Sequence, residues 1–149
     1  MHYEVFSVSK SKIGARPSDD VTLFIPGVVA AVLDGATDPL GHKVDGKSSG
    51  RFAAECVAQA CTRLFSETGN TFLPANEIMG HLARDLSDRI EGQGFAGAPS
   101  TTLALALFQE ETVRLLVVRD SGIRINQDKV YRHDKLVDEV TAYARIGVF

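Results

Sequence analysis

Val28-Val29-Ala30-Ala31-Val32-Leu33-Asp34-Gly35-Ala36-Thr37 is an apolar run of strand length that stops abruptly at a carboxylate followed by a glycine. An ionised Asp at the mouth of a Val/Ala/Leu strand must be solvated, hydrogen-bonded or paired with a cation to offset its desolvation. A buried strand that delivers one acid to its C-terminal end is therefore a natural seat for metal or phosphate chemistry. Gly35 allows a tight turn that brings its own carbonyl close to whatever Asp34 holds.

The flanking segments extend the pattern. Tyr3 to Ser9 and Val21 to Ile25 read as strands, with the polar turn Gly14-Ala15-Arg16-Pro17-Ser18-Asp19-Asp20 between them. Pro26-Gly27 separates the second strand from Val28 to Leu33. A loop rich in Gly, Asp and Lys follows Asp34, and Ser48 or Ser49 then caps an amphipathic helix of about four turns carrying Ala53, Val57, Ala60, Cys61 and Leu64 on one face. A second helix begins near Pro74, with Ile78, Leu82, Leu86 and Ile90 on one face and Arg84, Asp85, Asp88 and Arg89 on the other. After the glycine-rich link 92–99, strands return at Thr102 to Phe108, Thr112 to Val118 and Ile123 to Ile125. Strands, then two helices, then strands argue for an α+β fold with helices packed on antiparallel sheet.

Composition narrows the function classes. The chain has 149 residues, 44% of them hydrophobic and 23% charged, which suits one globular domain, residues 1–149, without repeat or low-complexity segment. A net charge of -3 with scattered basic residues offers no footprint for nucleic acid or an anionic membrane. The N-terminus lacks a basic segment followed by an apolar core, and no run approaches the roughly 18 apolar residues of a membrane span. A cytoplasmic location is the expectation. Cys56 and Cys61 lie in one predicted helix at a spacing that suits neither a zinc knuckle nor a redox pair, so both read as buried reduced thiols. His2, His42, His81 and His133 stand in unrelated contexts and form no recognisable cluster. Ser100 lacks the G-x-S-x-G elbow of a serine hydrolase.

Three acidic places stand at strand ends or turns: Asp19-Asp20, Asp34 and Asp120. Taken singly, Asp19-Asp20 and Asp120-Ser121-Gly122 read as ordinary turns. With their flanks they form an ordered series: Gly14-Ala15-Arg16 with Asp19-Asp20, then Val32-Leu33-Asp34-Gly35, then Pro99-Ser100-Thr101-Thr102, then Arg119-Asp120-Ser121. That series resembles the metal-dependent protein phosphatases of type 2C, over about residues 3 to 135. Their chains carry a G-x-R and an acidic pair, a strand ending in Asp-Gly, a Gly-Ser-Thr strand start and a Gly-Asp-Ser turn, in this order.

The resemblance implies an α/β/β/α sandwich of antiparallel sheets flanked by helices, left incomplete because family members continue beyond the equivalent of Phe149. It implies hydrolysis of phosphoserine or phosphothreonine in a phosphorylated protein substrate, with two or more Mg²⁺ or Mn²⁺ ions and a metal-activated water. Asp34 would bridge the metals, the Gly35 carbonyl would bind one of them, and Asp19 or Asp20 would hold it from the first turn. Adjacent strand residues point to opposite faces, so one of that pair reaches the metals directly. Arg16 would grip the phosphate through its planar fork, and Asp120 would support an additional ion. Oxygen donors are what such hard cations favour, so no His/Cys ligand set is required.

The chain also departs from the family. Ala36 stands where a His often assists the leaving group, Arg16 is one residue closer to Asp20 than usual, and Arg119 replaces the glycine before Asp120. Further family aspartates lie in the part that is missing; Asp128, Asp134, Asp138 and Glu139 sit in a charged segment that reads as loop and helix surface. A second reading is a non-catalytic binding or regulatory module on the same fold, and a third a phosphatase of a small metabolite. An incomplete sheet predicts self-association into a homo-oligomer.

Overall fold

The computed structural model describes residues 4–6, 18–36, 41, 43–91, 93–95, 97–127 and 129–132. In chain order these form β1 (Val21–Ile25), β2 (Val29–Leu33), β3 (Lys43–Val44), β4 (Lys47–Ser48), α1 (Ser49–Thr68), α2 (Ala75–Ile90), β5 (Leu103–Phe108), β6 (Val113–Val118), β7 (Gly122–Ile125) and β8 (Lys129–Arg132). The class is α+β, as the pattern of elements predicted. Most of the strand expected over Tyr3 to Ser9 falls outside the described residues, and Glu4, Val5 and Phe6 carry no strand pairing.

One antiparallel sheet organises the rest, in the order β1-β2-β5-β6. Its register pairs Val21 with Leu33, Val29 with Leu107 and Leu103 with Val118. Side chains alternate across the sheet, so Val29, Ala31 and Leu33 of β2 and Leu103, Leu105 and Leu107 of β5 all point to one face. There they meet Ala54, Val57, Ala58, Cys61 and Phe65 of α1 and Ile78 and Leu82 of α2 in one buried core. Each large aliphatic side chain removed from water there contributes about 1.5–3 kcal/mol before conformational entropy is set against it.

Helix α1 is longer than the expected four turns and is buried on more than one side. It lies against β1 and β2 on one flank and α2 on the other. Ala53, Ala54, Cys56, Ala58 and Ala60 keep it slim where those neighbours approach. Ser48 is its N-cap, its Oγ accepting from the Arg51 N–H at 3.2 Å. Gly69 ends it in the left-handed conformation, φ 58°, with its N–H donating to the Phe65 carbonyl. Helix α2 buries Ile78 and Leu82 as expected, but its charged residues do not all face water. Arg84 and Asp88 do. Asp85 turns back to accept from Arg63 of α1, with Nη2 at 2.6 Å from both carboxylate oxygens, and Arg89 donates to Gln59 Oε1 at 2.7 Å.

Two short hairpins were not legible in the hydrophobic pattern. Asp45 and Gly46, at φ 51° and 76°, make the two-residue turn joining β3 to β4, inside the stretch expected to be loop. Lys129–Arg132 pairs with β7 as a strand, where loop and helix surface were expected. Both cysteines are free and buried, as expected, and burial pushes the Cys61 thiol up to about 12. No described helix is long and apolar enough to cross a membrane.

Candidate functional site

The sheet register gathers the acidic places at one end. Continuing β1–β2 pairing by one residue sets Asp20 opposite Asp34, and by two sets Asp19 opposite Gly35. On the other side of β2, Gly35 bridges Thr101, so Thr102 stands beside Asp34. Asp120 follows β6 at the same end. By strand alternation Asp20 and Asp34 share the face turned away from α1, and Asp19 and Gly35 the face turned toward it.

Asp34 is braced by the segment the sequence singled out as Pro99-Ser100-Thr101-Thr102. The Thr102 N–H and the Thr101 hydroxyl both donate to the Asp34 carbonyl, each at 2.9 Å. The Ala36 N–H donates to the Ser100 carbonyl at 2.9 Å, and the Asp34 N–H points at Thr102 Oγ1 at 3.4 Å. Thr102 is buried, and its hydroxyl accepts from Ser121 Oγ at 2.7 Å. A chain of hydroxyls thus ties the turn after β6 to the backbone of Asp34 across β5. Neither hydroxyl bond to Thr102 was anticipated; a Thr-Thr pair at the start of a strand beside Asp-Gly was the available signal.

The other side of Asp34 is set by α1. Ser48 Oγ donates to Asp19 Oδ1 at 2.5 Å while capping the helix. Ser18 Oγ donates to Asp20 Oδ2 at 2.6 Å. Arg51 Nη1 donates to the carbonyls of Ser18 at 3.0 Å and Asp20 at 2.7 Å, and its Nε to Glu55 Oε1 at 2.7 Å. Lys47 Nζ holds the second Glu55 oxygen at 2.6 Å. Burial pushes the Glu55 carboxyl up, but its bonds to Lys47 and Arg51 and their charges outweigh this and leave it below its ordinary value.

Gly35 is explained by proximity rather than by a special turn, since its φ is not positive. A Cβ on Gly35 would run into the Gly50 carbonyl and stand 2.9 Å from the Asp19 carbonyl oxygen. A Cβ on Gly50 would stand 2.6 Å from the Ala36 carbonyl oxygen and 2.8 Å from that of Gly35. The two glycines let the start of α1 touch the Asp-Gly turn.

Asp120 is exposed and lies farther off. With β5 between β2 and β6, two strand spacings of about 4.8 Å put its row roughly 10 Å from that of Asp34. Arg119 before it has φ 64°, a conformation that glycine adopts without strain. Among the described residues no group of three or more His, Cys, Asp or Glu converges as a metal cluster. His81 is exposed on α2. Arg16, with His2, His42, His133, Asp128, Asp134, Asp138 and Glu139, lies outside the described residues.

No family model and no curated protein matches the sequence. The fold resembles that of the crystal structure of the serine/threonine phosphatase PstP/Ppp of Mycobacterium tuberculosis, with a TM-score of 0.57 and 19% sequence identity over 87% of this chain. The match takes in 54% of that chain, so this protein spans about half its length. At this identity the likeness is one of fold.

Proposed function

We propose that this chain is a metal-dependent phosphatase that hydrolyses phosphoserine and phosphothreonine in proteins by direct attack of water, with Asp34 at the centre of the site. The observation that best supports this is that Asp20 and Asp34 each stand one residue beyond the Val21–Leu33 pair, with the Asp120 turn at the same sheet end, in a fold resembling that of a serine/threonine phosphatase.

The donors present suit a hard cation. Asp20 and Asp34 offer oxygen ligands, and Mg²⁺ is commonly held by one or two carboxylates while keeping several waters, so the lack of a tighter acid cluster is no misfit; the Gly35 carbonyl, which the resemblance assigns to the metal, packs against Gly50 of α1. Bound there, Mg²⁺ or Mn²⁺ supplies Lewis-acid polarisation of the phosphoryl oxygens and a lowered pKa for water. The protein's own part is to hold charge in place. Ser18 orients the Asp20 carboxylate and Ser48 the Asp19 carboxylate, and of the two Asp20 is the one assigned to the Asp34 face. Thr101 and Thr102 fix the Asp34 backbone. Arg16 is assigned to the substrate phosphate and Asp120 to a further cation. With Ala36 in place of a His, the leaving oxygen takes its proton from solvent, at a cost of about a hundredfold or more for a poor leaving group.

The test is hydrolysis of an aryl phosphate and of a phosphothreonine peptide with Mn²⁺ or Mg²⁺, beside Asp34→Asn and a chelator. Turnover lost in both controls supports the reading. A folded protein that binds phosphopeptide without turnover overturns it in favour of a non-catalytic module, which the spread between Asp34 and Asp120 would then explain.

A further inference from the structure

We infer that Arg51 is a positioning residue for the acidic bend Ser18-Asp19-Asp20, fixing the backbone from which Asp20 meets a divalent cation beside Asp34; this rests on the functional reading above. An arginine next to a cation site is at first sight misplaced, because its charge repels the ion and its fork readily captures a carboxylate. Here the guanidinium is directed elsewhere. Nη1 is shared between two backbone carbonyls, those of Ser18 and Asp20, on either side of Asp19. Nε is taken by Glu55, whose other oxygen is held by Lys47. Glu55 thus orients the guanidinium and offsets its charge, and the Asp19–Asp20 carboxylates are not consumed by it.

The placement follows from the sequence of α1. Ser48, Arg51 and Glu55 lie at successive three- and four-residue intervals, so they share one stripe of the first turns. Ser48 reaches Asp19 and Arg51 reaches the carbonyls flanking it, so helix and bend are joined at three points. The bend carries no ladder bonds of its own before Val21. Without Arg51, two partly buried carbonyls lose a charged donor, and the bend, closed on itself by Ser18, is tied to α1 by Ser48 alone.

The experiment pairs two readouts on the full chain: amide hydrogen exchange of residues 18–21 without metal, and Mn²⁺ affinity from the free-ion EPR signal. Arg51→Ala is expected to speed exchange at the bend and to weaken Mn²⁺ binding by about tenfold or more, as loss of groups supporting metal ligands commonly does. Arg51→Lys is expected to restore part of both, because one ammonium reaches a carbonyl but cannot hold Glu55 as well. Arg63→Ala, which removes an ion pair on the far flank of α1, is the folded control and leaves both readouts unchanged. Exchange at the bend unchanged in Arg51→Ala overturns the inference, as does faster exchange with wild-type Mn²⁺ affinity. A wild-type chain that binds no Mn²⁺ overturns the functional reading instead, and the exchange readout then still decides whether Arg51 holds the bend.

Discussion

The two halves of α1 are held by opposite kinds of force. Toward its C-terminus Cys61 and Phe65 are fully buried against Ile78, Leu82 and the leucines of β5, and the polar pairs there, such as Arg63–Asp85, lie at the edge of that core. Toward its N-terminus Ser48, Arg51 and Glu55 make a chain of hydrogen bonds to the acidic bend, most of it half-exposed. Apolar burial is non-directional and worth several kcal/mol per large side chain, whereas each exposed polar bond nets about 1 kcal/mol or less but fixes a direction. The C-terminal half therefore carries stability and the N-terminal half carries geometry.

The sharpest way to break that division is to cut the apolar half at Phe65 and, separately, the acidic site that the polar half braces at Asp34. Phe65→Ala should cost about 3–5 kcal/mol of unfolding free energy in urea or thermal melts, while the folded fraction keeps its Mn²⁺ affinity. Asp34→Asn should do the reverse: stability within about 0.5 kcal/mol of wild type and phosphatase activity down by at least about a hundredfold. If Phe65→Ala reduced the Mn²⁺ affinity of folded protein as strongly as Asp34→Asn reduced activity, the two halves would not be separable.

Gly50 is where α1 meets the Asp-Gly turn, so Gly50→Ala should move both readouts. Its Cβ would sit 2.6 Å from the Ala36 carbonyl oxygen, and the colliding atoms are backbone, which cannot rotate away. A loss of about 1–3 kcal/mol in melts is expected, together with weakened Mn²⁺ binding, because relief requires α1 to withdraw from the Asp-Gly turn. Arg119→Gly tests the other flank. Relief of a left-handed arginine should raise stability by about 1 kcal/mol, less the extra chain entropy of glycine, with little change in turnover. A destabilised variant would show that the Arg119 side chain contributes more than its backbone costs.

How much of this was readable follows the same division. Apolar periodicity gave β1, β2, β5, β6 and both helices, since burial imposes a period of two on strands and 3.6 on helices wherever a core must form. It missed β3–β4 and β8, which bury little and are specified by turn chemistry instead; the Asp45-Gly46 pair was the signal, and it stood inside a run that reads as loop. At the site, Asp34, Gly35 and the acidic pair were visible because a charge at a strand mouth demands an explanation. Which of the pair shares the Asp34 face needed the register, fixed by Val21 opposite Leu33. Ser48, Arg51, Thr102 and Ser121 were not visible as site residues. Their partners are distant in sequence or are backbone carbonyls, and backbone partners leave no mark in the identity of the residues that supply them.

The smallest effect tests the polar half alone, through pH. Burial raises the Glu55 carboxyl, but Lys47 and Arg51 outweigh it, so the folded protein holds Glu55 ionised below the ordinary glutamate range. Between the lowered and the ordinary value the unfolded chain binds the extra proton, so stability is fully present above that window and is lost as pH falls through it. Glu55 is 25% exposed, and the contribution is about 0.5 kcal/mol or less, readable as the slope of urea midpoints between about pH 3 and 6. Glu55→Gln should remove that part of the slope. Because Glu55 orients Arg51, exchange protection at residues 18–21, relative to an unstructured chain at the same pH, should fall as pH drops through the same window, and the variant should show low protection already at neutral pH. Protection that ignores both pH and Glu55→Gln would mean that Ser18 and Ser48 hold the bend without Arg51, and that the polar half of α1 is simpler than its hydrogen bonds imply.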